Sequence, residues 1–87
     1  MDPDTRAWAL ARYTPHPIAA LEAPVVLETF WEQSWPASVI YCHRSVNPPE
    51  WHQRRTAEEL HASWHELDAG HYPMLSHPEE LTALLLA

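Results

Sequence analysis

The sequence predicts an α/β fold built on a parallel sheet, and three observations predict it. Residues 38–43 form a short, continuous apolar run, which is typical of a strand buried on both faces. Residues 50–62 follow as a helical segment with a glutamate in its first turn, and residues 64–67 alternate as a second strand. A final helix to about Leu86 completes the order strand, helix, strand, helix, which is that of a parallel sheet with a right-handed crossover.

The first 37 residues predict a helical and irregular segment. Asp2 or Asp4 caps a first helix that runs to about Tyr13. Residues 14–17 then end this helix, because two prolines remove backbone donors and push their predecessors away from helical geometry. The other features predicted here are a short helix over 18–22, an extended stretch over 25–27, and the aromatic residues Phe30 and Trp31 packed in a core.

The second half of the chain carries the strands and helices of the predicted sheet. Ala57 and Leu60 are expected to face inward from the first of these helices, and Gly70 to permit a tight turn. Ser76 or His77 caps the last helix, which places Leu81, Leu84 and Leu85 on one stripe. Two strands alone do not make a stable parallel sheet, so neighbouring strands are expected from elsewhere.

Composition excludes several classes of function. The formal net charge is −7 and the five basic residues are scattered arginines, so nucleic-acid binding is not expected. The longest apolar stretch, at residues 84–87 and their neighbours, is far shorter than the roughly 20 residues of a membrane span. Acidic and basic residues directly follow Met1, where a secretory leader would be apolar. We therefore expect a cytoplasmic protein that does not bind membranes.

Metal and cofactor sites are also not expected from the sequence. Cys42 is the only cysteine and Gly70 the only glycine, which excludes cysteine zinc knuckles and glycine-rich phosphate loops. His61 and His65 are four residues apart, a spacing that suits zinc only when both lie on one helix face. Ser63 and Trp64 are expected to break the helix between them, so surface histidines are the preferred interpretation.

One motif carries a candidate chemistry. His71 directly follows Gly70, between the predicted last strand and the proline-initiated helix at Pro78. This arrangement resembles the C-terminal end of α/β-hydrolase-fold enzymes, in the branch of esterases, hydroxynitrile lyases and plant methylesterases. The resemblance implies a partial α/β-hydrolase fold, with residues 38–87 as the C-terminal part of the core and residues 1–37 as a segment resembling the connection from cap to core.

The resemblance implies that His71 is a catalytic general base, since a histidine on a loop after a strand can accept and return a proton near neutral pH. It also implies that Tyr72 and Met74 line the pocket of a small ester-type substrate. The family places the orienting acid in the loop after the preceding strand, where this chain has Asn47 and no aspartate. Glu50 is the nearest carboxylate, Asp68 is an alternative, and an acid from another strand is a third.

The nucleophile of such an enzyme is missing. A nucleophile elbow has the pattern Gly-x-Ser-x-Gly, and none of the serines lies beside a glycine at that spacing: Ser34, Ser38, Ser45, Ser63 and Ser76. The predicted function is therefore the C-terminal fragment of an esterase-like hydrolase that is inactive alone. The alternative is a noncatalytic interaction module that associates with itself or a protein partner through an open sheet edge. A His/Glu metal site is a weaker third hypothesis.

Overall fold

The computed structural model describes all residues from Met1 to Ala87. The chain divides into two compact units, Met1–Gln33 and Ser34–Ala87. The only sheet has two parallel strands, and all other regular structure is helical. The chain is therefore of mixed α/β class, as the sequence predicts.

The first unit contains only short helices: α1 spans Pro3–Leu10, α2 spans Ile18–Glu22, and a 3₁₀ helix spans Phe30–Glu32. The predicted cap of α1 is confirmed at Asp2, whose Oδ1 accepts the Thr5 backbone N–H at 2.9 Å and whose Oδ2 accepts the Thr5 hydroxyl at 2.6 Å. These bonds to Thr5 favour the ionised carboxylate and lower the pKa of Asp2.

Helix α1 ends at Leu10, earlier than the predicted end near Tyr13. The N–H groups of Arg12 and Tyr13 donate to the carbonyls of Ala9 and Leu10, three residues back. Such tighter bonds are common where the last turn of an α-helix closes. The α-helical pattern therefore stops before the predicted boundary.

The core packing predicted for the aromatic pair of this unit is wrong. Phe30 and Trp31 pack edge to face with ring centroids 5.0 Å apart, but their exposed fractions are 37% and 49%. Residues 25–27 form no strand, and no residue of this unit is buried. Helices of three to eight residues present too little surface to enclose an aromatic side chain.

The second unit follows the predicted order of elements and adds one short helix. Its elements are β1 Ser38–Cys42, α3 Glu50–Leu60, β2 Ser63–Leu67, α4 Pro73–Ser76 and α5 Pro78–Leu86. The two strands are parallel and in register from Ser38 opposite Ser63 to Cys42 opposite Leu67. Helix α3 contacts β1, and α4 contacts α5. The sequence signal for α4 is Pro73, a residue favoured in the first turn of a helix.

The predicted burial of the first strand on both faces is wrong. All of β1 except the exposed Ser38 is half-buried, and only Ala57, Leu67 and Ala69 are buried in the whole chain. Each strand has one neighbour and one unpaired edge, so two strands and three helices leave part of every face open to solvent. The three buried residues come from α3, the end of β2 and the loop that follows β2.

The structure gives further detail on the turn at Gly70, the cap of α5 and its apolar stripe. Gly70 does not have a positive φ, and a Cβ placed on it would meet nothing within 4 Å, so its turn does not require glycine. His77 is the N-cap of α5 but makes no side-chain capping bond; instead, Ser76 Oγ and His77 Nδ1 lie 2.7 Å apart. Leu85 is exposed, while Leu81 and Leu84 are half-buried.

The predicted break between His61 and His65 is confirmed, and its geometry explains where α3 ends. His61 is the C-cap in the left-handed region, with φ 52° and ψ 40°. The Ala62 N–H donates to the Ala57 carbonyl at 2.8 Å, which is the long bond of a Schellman motif. A left-handed conformation at a residue with a Cβ is a local strain.

We expect His61→Gly to stabilise the second unit, because glycine adopts the left-handed C-cap without the steric cost of a Cβ. The expected gain is about 1 kcal/mol in the free energy of unfolding, measured by urea titration. The control is Glu58→Gly in the exposed interior of α3, which should lower the stability by about 0.5–1 kcal/mol. An unchanged or lower midpoint for His61→Gly would contradict the strain.

Candidate active site

The loops after the two strands meet at one edge of the sheet. Because β1 and β2 are parallel, their carboxyl ends lie side by side. The backbone pairing continues beyond the strands, since the His43 N–H donates to the Leu67 carbonyl and the Arg44 N–H to the Ala69 carbonyl, both at 3.0 Å. Residues 43–49 are thereby held against residues 68–72.

His71 lies in the second of these loops and contacts a serine from the first. Its Nδ1 atom is 3.0 Å from Ser45 Oγ, and Ser45 Oγ in turn donates to the backbone carbonyl of Asn47 at 3.1 Å. The Tyr72 ring stands at 89° to the imidazole, with centroids 5.4 Å apart. The imidazole is therefore held by a hydroxyl on one nitrogen and by an aromatic edge contact.

The two carboxylates considered as orienting acids are not brought to His71. The Arg44 guanidinium donates to the Asp68 backbone carbonyl at 2.8 Å, and its Nε lies 3.3 Å from Asp68 Oδ1. Glu50 pairs with Arg54 one turn further along α3, at 3.2 Å. Both ion pairs are solvent-exposed and of the kind that contributes little to stability.

Ser45 contacts His71 and is not among the site residues that the sequence predicts. In a sequence, a nucleophilic serine is recognised by neighbouring glycines, which Ser45 lacks. The available signal was position: Ser45 lies in the loop after the strand that precedes the histidine-bearing strand, two residues before Asn47. In this loop the structure brings a hydroxyl, rather than a carboxylate, to the imidazole.

A cleft of about 220 Å³ opens beside His71. Ile40, Cys42 and Met74 form part of its apolar wall, and the Gln53 amide on its rim donates to the Pro48 carbonyl at 2.9 Å. Met74 therefore lies where a pocket residue is expected, whereas Tyr72 is absent from the lining. The volume is below the roughly 300 Å³ at which drug-sized pockets begin, so it suits a small group.

A second cleft of about 290 Å³ is lined by some of the same residues. It shares Ser45, Asn47 and His71 with the first cleft and adds Arg44 and Val46. Ser45 and His71 therefore line both clefts, and the second also has the Arg44 side chain in its lining.

A second polar cluster lies beside the sheet and has a structural interpretation. Tyr41 packs against Trp64 with centroids 5.7 Å apart, and the Arg54 guanidinium lies 4.3 Å above the Trp64 ring. His43 Nε2 and Glu66 Oε1 are 3.1 Å apart. The cation–π contact and the aromatic pair connect α3 to both strands, which accounts for these residues without a ligand.

No three histidine, cysteine, aspartate or glutamate side chains are placed to hold a metal ion together. His61 caps α3 and His65 lies in β2, so the pair does not share a helix face. None of the helices, the longest of which has 11 residues, is long and apolar enough to cross a membrane. The chain matches no family model, no curated protein and no solved structure.

Partial burial of Cys42 in the wall of the cleft raises the pKa of its thiol. The thiol is thus neutral in the folded chain under conditions where an unfolded chain begins to ionise it. The resulting stability is fully present below pH 9.0, the ordinary value for this group, and is lost as the pH rises above it.

We therefore expect the free energy of unfolding to fall more steeply above pH 9 in the natural chain than in Cys42→Ala, measured by urea titration at several pH values. At pH 8.5, iodoacetamide should also modify Cys42 more slowly in the folded chain than in urea. Parallel stability curves for the two chains would contradict a raised thiol pKa.

Proposed function

We propose that this chain supplies the C-terminal, base-bearing part of an α/β-hydrolase-like ester hydrolase, with His71 as general base. The observation that carries the proposal is the contact of His71 Nδ1 with the loop after β1, at the carboxyl edge of a parallel strand pair. In Ser-His-Asp enzymes the base is held through this nitrogen, while Nε2 faces the nucleophile. The small apolar cleft beside His71 suits a short acyl or alcohol group.

The role proposed for His71 is proton transfer at Nε2. As a serine oxygen bonds to the ester carbonyl carbon, Nε2 accepts the hydroxyl proton, and it then donates this proton to the alcohol oxygen as the carbon–oxygen bond breaks. In the second half of the reaction, Nε2 accepts a proton from the water that attacks the acyl-serine and returns it to the serine oxygen. Both halves leave the imidazole neutral.

The serine of this reaction comes from a partner polypeptide in the proposal. Ser45 contacts His71 on Nδ1 and donates its proton to the Asn47 carbonyl, so it is not placed as an activated nucleophile. The other serines lack the glycine neighbours of an elbow. The chain alone is accordingly expected to be inactive.

Exposed apolar surface supports the need for further protein. In the second unit the exposed large apolar side chains include Trp35, Val46, Trp51, Met74, Leu85 and Leu86. In the proposal, further polypeptide covers part of this exposed apolar surface.

The test is complementation in trans. An α/β-hydrolase-fold esterase, truncated before the strand that precedes its acid loop, is coexpressed with this chain, which supplies that strand as β1, and assayed with a short-chain nitrophenyl ester. We expect turnover that neither polypeptide has alone, and a loss of roughly 10²–10⁴-fold with His71→Ala.

The matched control for this assay is His61→Ala, which removes an exposed imidazole that does not line the cleft and should leave the turnover unchanged. Turnover by the 87-residue chain alone that disappears with His71→Ala would contradict the need for a partner. A stable complex whose turnover is the same for the natural chain and for His71→Ala would contradict the assignment of His71 as general base.

The second candidate function is a noncatalytic module that associates with itself or a protein partner. Its support is the two-stranded sheet, in which β1 and β2 each have an unpaired edge with free backbone donors and acceptors. We expect light scattering after size exclusion to give the monomer mass of 10.0 kDa if the hydrolase proposal is right. A tight dimer that unfolds cooperatively, with a concentration-dependent midpoint, would favour the module instead.

A further inference from the structure

We infer that Ser45 is a positioning residue that sets the tautomer of His71 so that Nδ1 carries the proton and Nε2 the lone pair. The inference rests on the proposed function for its catalytic meaning, because only a base acting through Nε2 needs this tautomer. The tautomer itself is a property of the chain alone.

The argument begins with the single proton of the Ser45 hydroxyl. That proton is donated to the Asn47 backbone carbonyl, at an Oγ to O distance of 3.1 Å. The 3.0 Å contact between Ser45 Oγ and His71 Nδ1 then requires Nδ1 to be the donor. A neutral imidazole has one N–H group, so Nε2 is left as the acceptor.

The acceptor at the end of this chain of bonds is a main-chain group. The Asn47 carbonyl has no proton to give, so the direction from imidazole to hydroxyl to carbonyl is the only one that satisfies both short distances. The Asn47 side chain, which stands where the sequence led us to expect an acid, is not required. The direction is thereby set by backbone geometry in the loop after β1.

Hydrogen bonds between Arg44 and residues 68–69 hold the two loops in position for the contact between Ser45 and His71. The Arg44 N–H bonds the Ala69 carbonyl at 3.0 Å, and the Arg44 guanidinium bonds the Asp68 carbonyl at 2.8 Å. Arg44 directly precedes Ser45, and Asp68 and Ala69 directly precede Gly70 and His71. Asp68 therefore contributes through its backbone and its pairing with Arg44, not through a bond to the imidazole.

A hydroxyl orients the imidazole differently from the carboxylate of a Ser-His-Asp triad. Both accept from Nδ1–H and hold the ring in place, but a neutral hydroxyl does not stabilise the imidazolium that forms when Nε2 gains a proton. His71 thus has the tautomer that a base acting through Nε2 needs, but no carboxylate accepts the bond from its Nδ1–H. An unconstrained neutral histidine in water favours the opposite tautomer, with the proton on Nε2, which makes the assignment measurable.

The experiment is long-range ¹H–¹⁵N correlation spectroscopy of the full chain at about pH 8.5, roughly two units above the ordinary histidine pKa. We expect His71 to show a protonated Nδ1 and an unprotonated Nε2. Ser45→Ala removes one hydrogen bond and should shift the tautomer ratio toward Nε2–H by about fivefold. Ser45→Thr keeps the hydroxyl and should retain the natural ratio.

The chain offers a matched control in a second serine–histidine pair. Ser76 Oγ lies 2.7 Å from His77 Nδ1, so Ser76→Ala should change the His77 signals and leave those of His71 as they are. The backbone amide spectrum reports whether each variant remains folded. If Ser45→Ala unfolds the chain, the inference is decided on the natural chain and Ser45→Thr, which must both show Nδ1–H.

A dominant Nε2–H tautomer in the natural chain, or a ratio that Ser45→Ala leaves unchanged in a folded chain, overturns the inference. The complementation assay separates this outcome from the proposed function. If turnover depends on His71 but Ser45→Ala does not shift the tautomer ratio, only the positioning role of Ser45 is refuted. The tautomer shift without turnover supports Ser45 as the positioning residue and refutes the hydrolase proposal.

Discussion

The parallel pairing of β1 with β2 is the constraint on which the second unit depends. Its register, from Ser38 opposite Ser63 to Cys42 opposite Leu67, brings the ends of both strands to one edge. Parallel neighbouring strands need a crossover connection, which here is α3. The left-handed conformation of His61 ends this helix two residues before β2 begins at Ser63. Without this pairing, Ser45 and His71, which are 26 residues apart in sequence, would not meet.

The same pairing explains why the chain exposes so much apolar surface. A two-stranded sheet has two unpaired edges, and the helices of the second unit are too few to cover both of its faces. Burial is therefore limited to Ala57, Leu67 and Ala69. Both proposed functions are based on these unpaired edges and uncovered faces. In the hydrolase proposal the remaining strands of a larger sheet cover them, and in the interaction module a second copy or a protein partner does.

Much of the second unit was predictable from local patterns. The apolar run at 38–43 and the alternation at 64–67 predicted the strands, and the segment between them predicted the helix, because side-chain periodicity reflects backbone geometry directly. The predictions that failed concerned packing. The sequence predicts Phe30 and Trp31 in a core, yet apolar character only permits burial, and burial also requires neighbouring elements that cover the side chain.

The sequence by itself determined the order of elements in the second unit, an aspartate cap at the start of α1, and the position of His71 on a loop after a strand. Each of these depends on contacts within a few residues along the chain. Only the tertiary structure decided which group meets the imidazole. The sequence offers Asn47, Glu50 and Asp68 as groups that could orient the imidazole. The side chains of Glu50 and Asp68 pair with arginines, and Asn47 takes part only through its backbone carbonyl. The group that contacts His71 Nδ1 is the hydroxyl of Ser45. A contact across 26 residues depends on how two separate strands pair and on the path of both loops, so it involves residues that are distant along the chain.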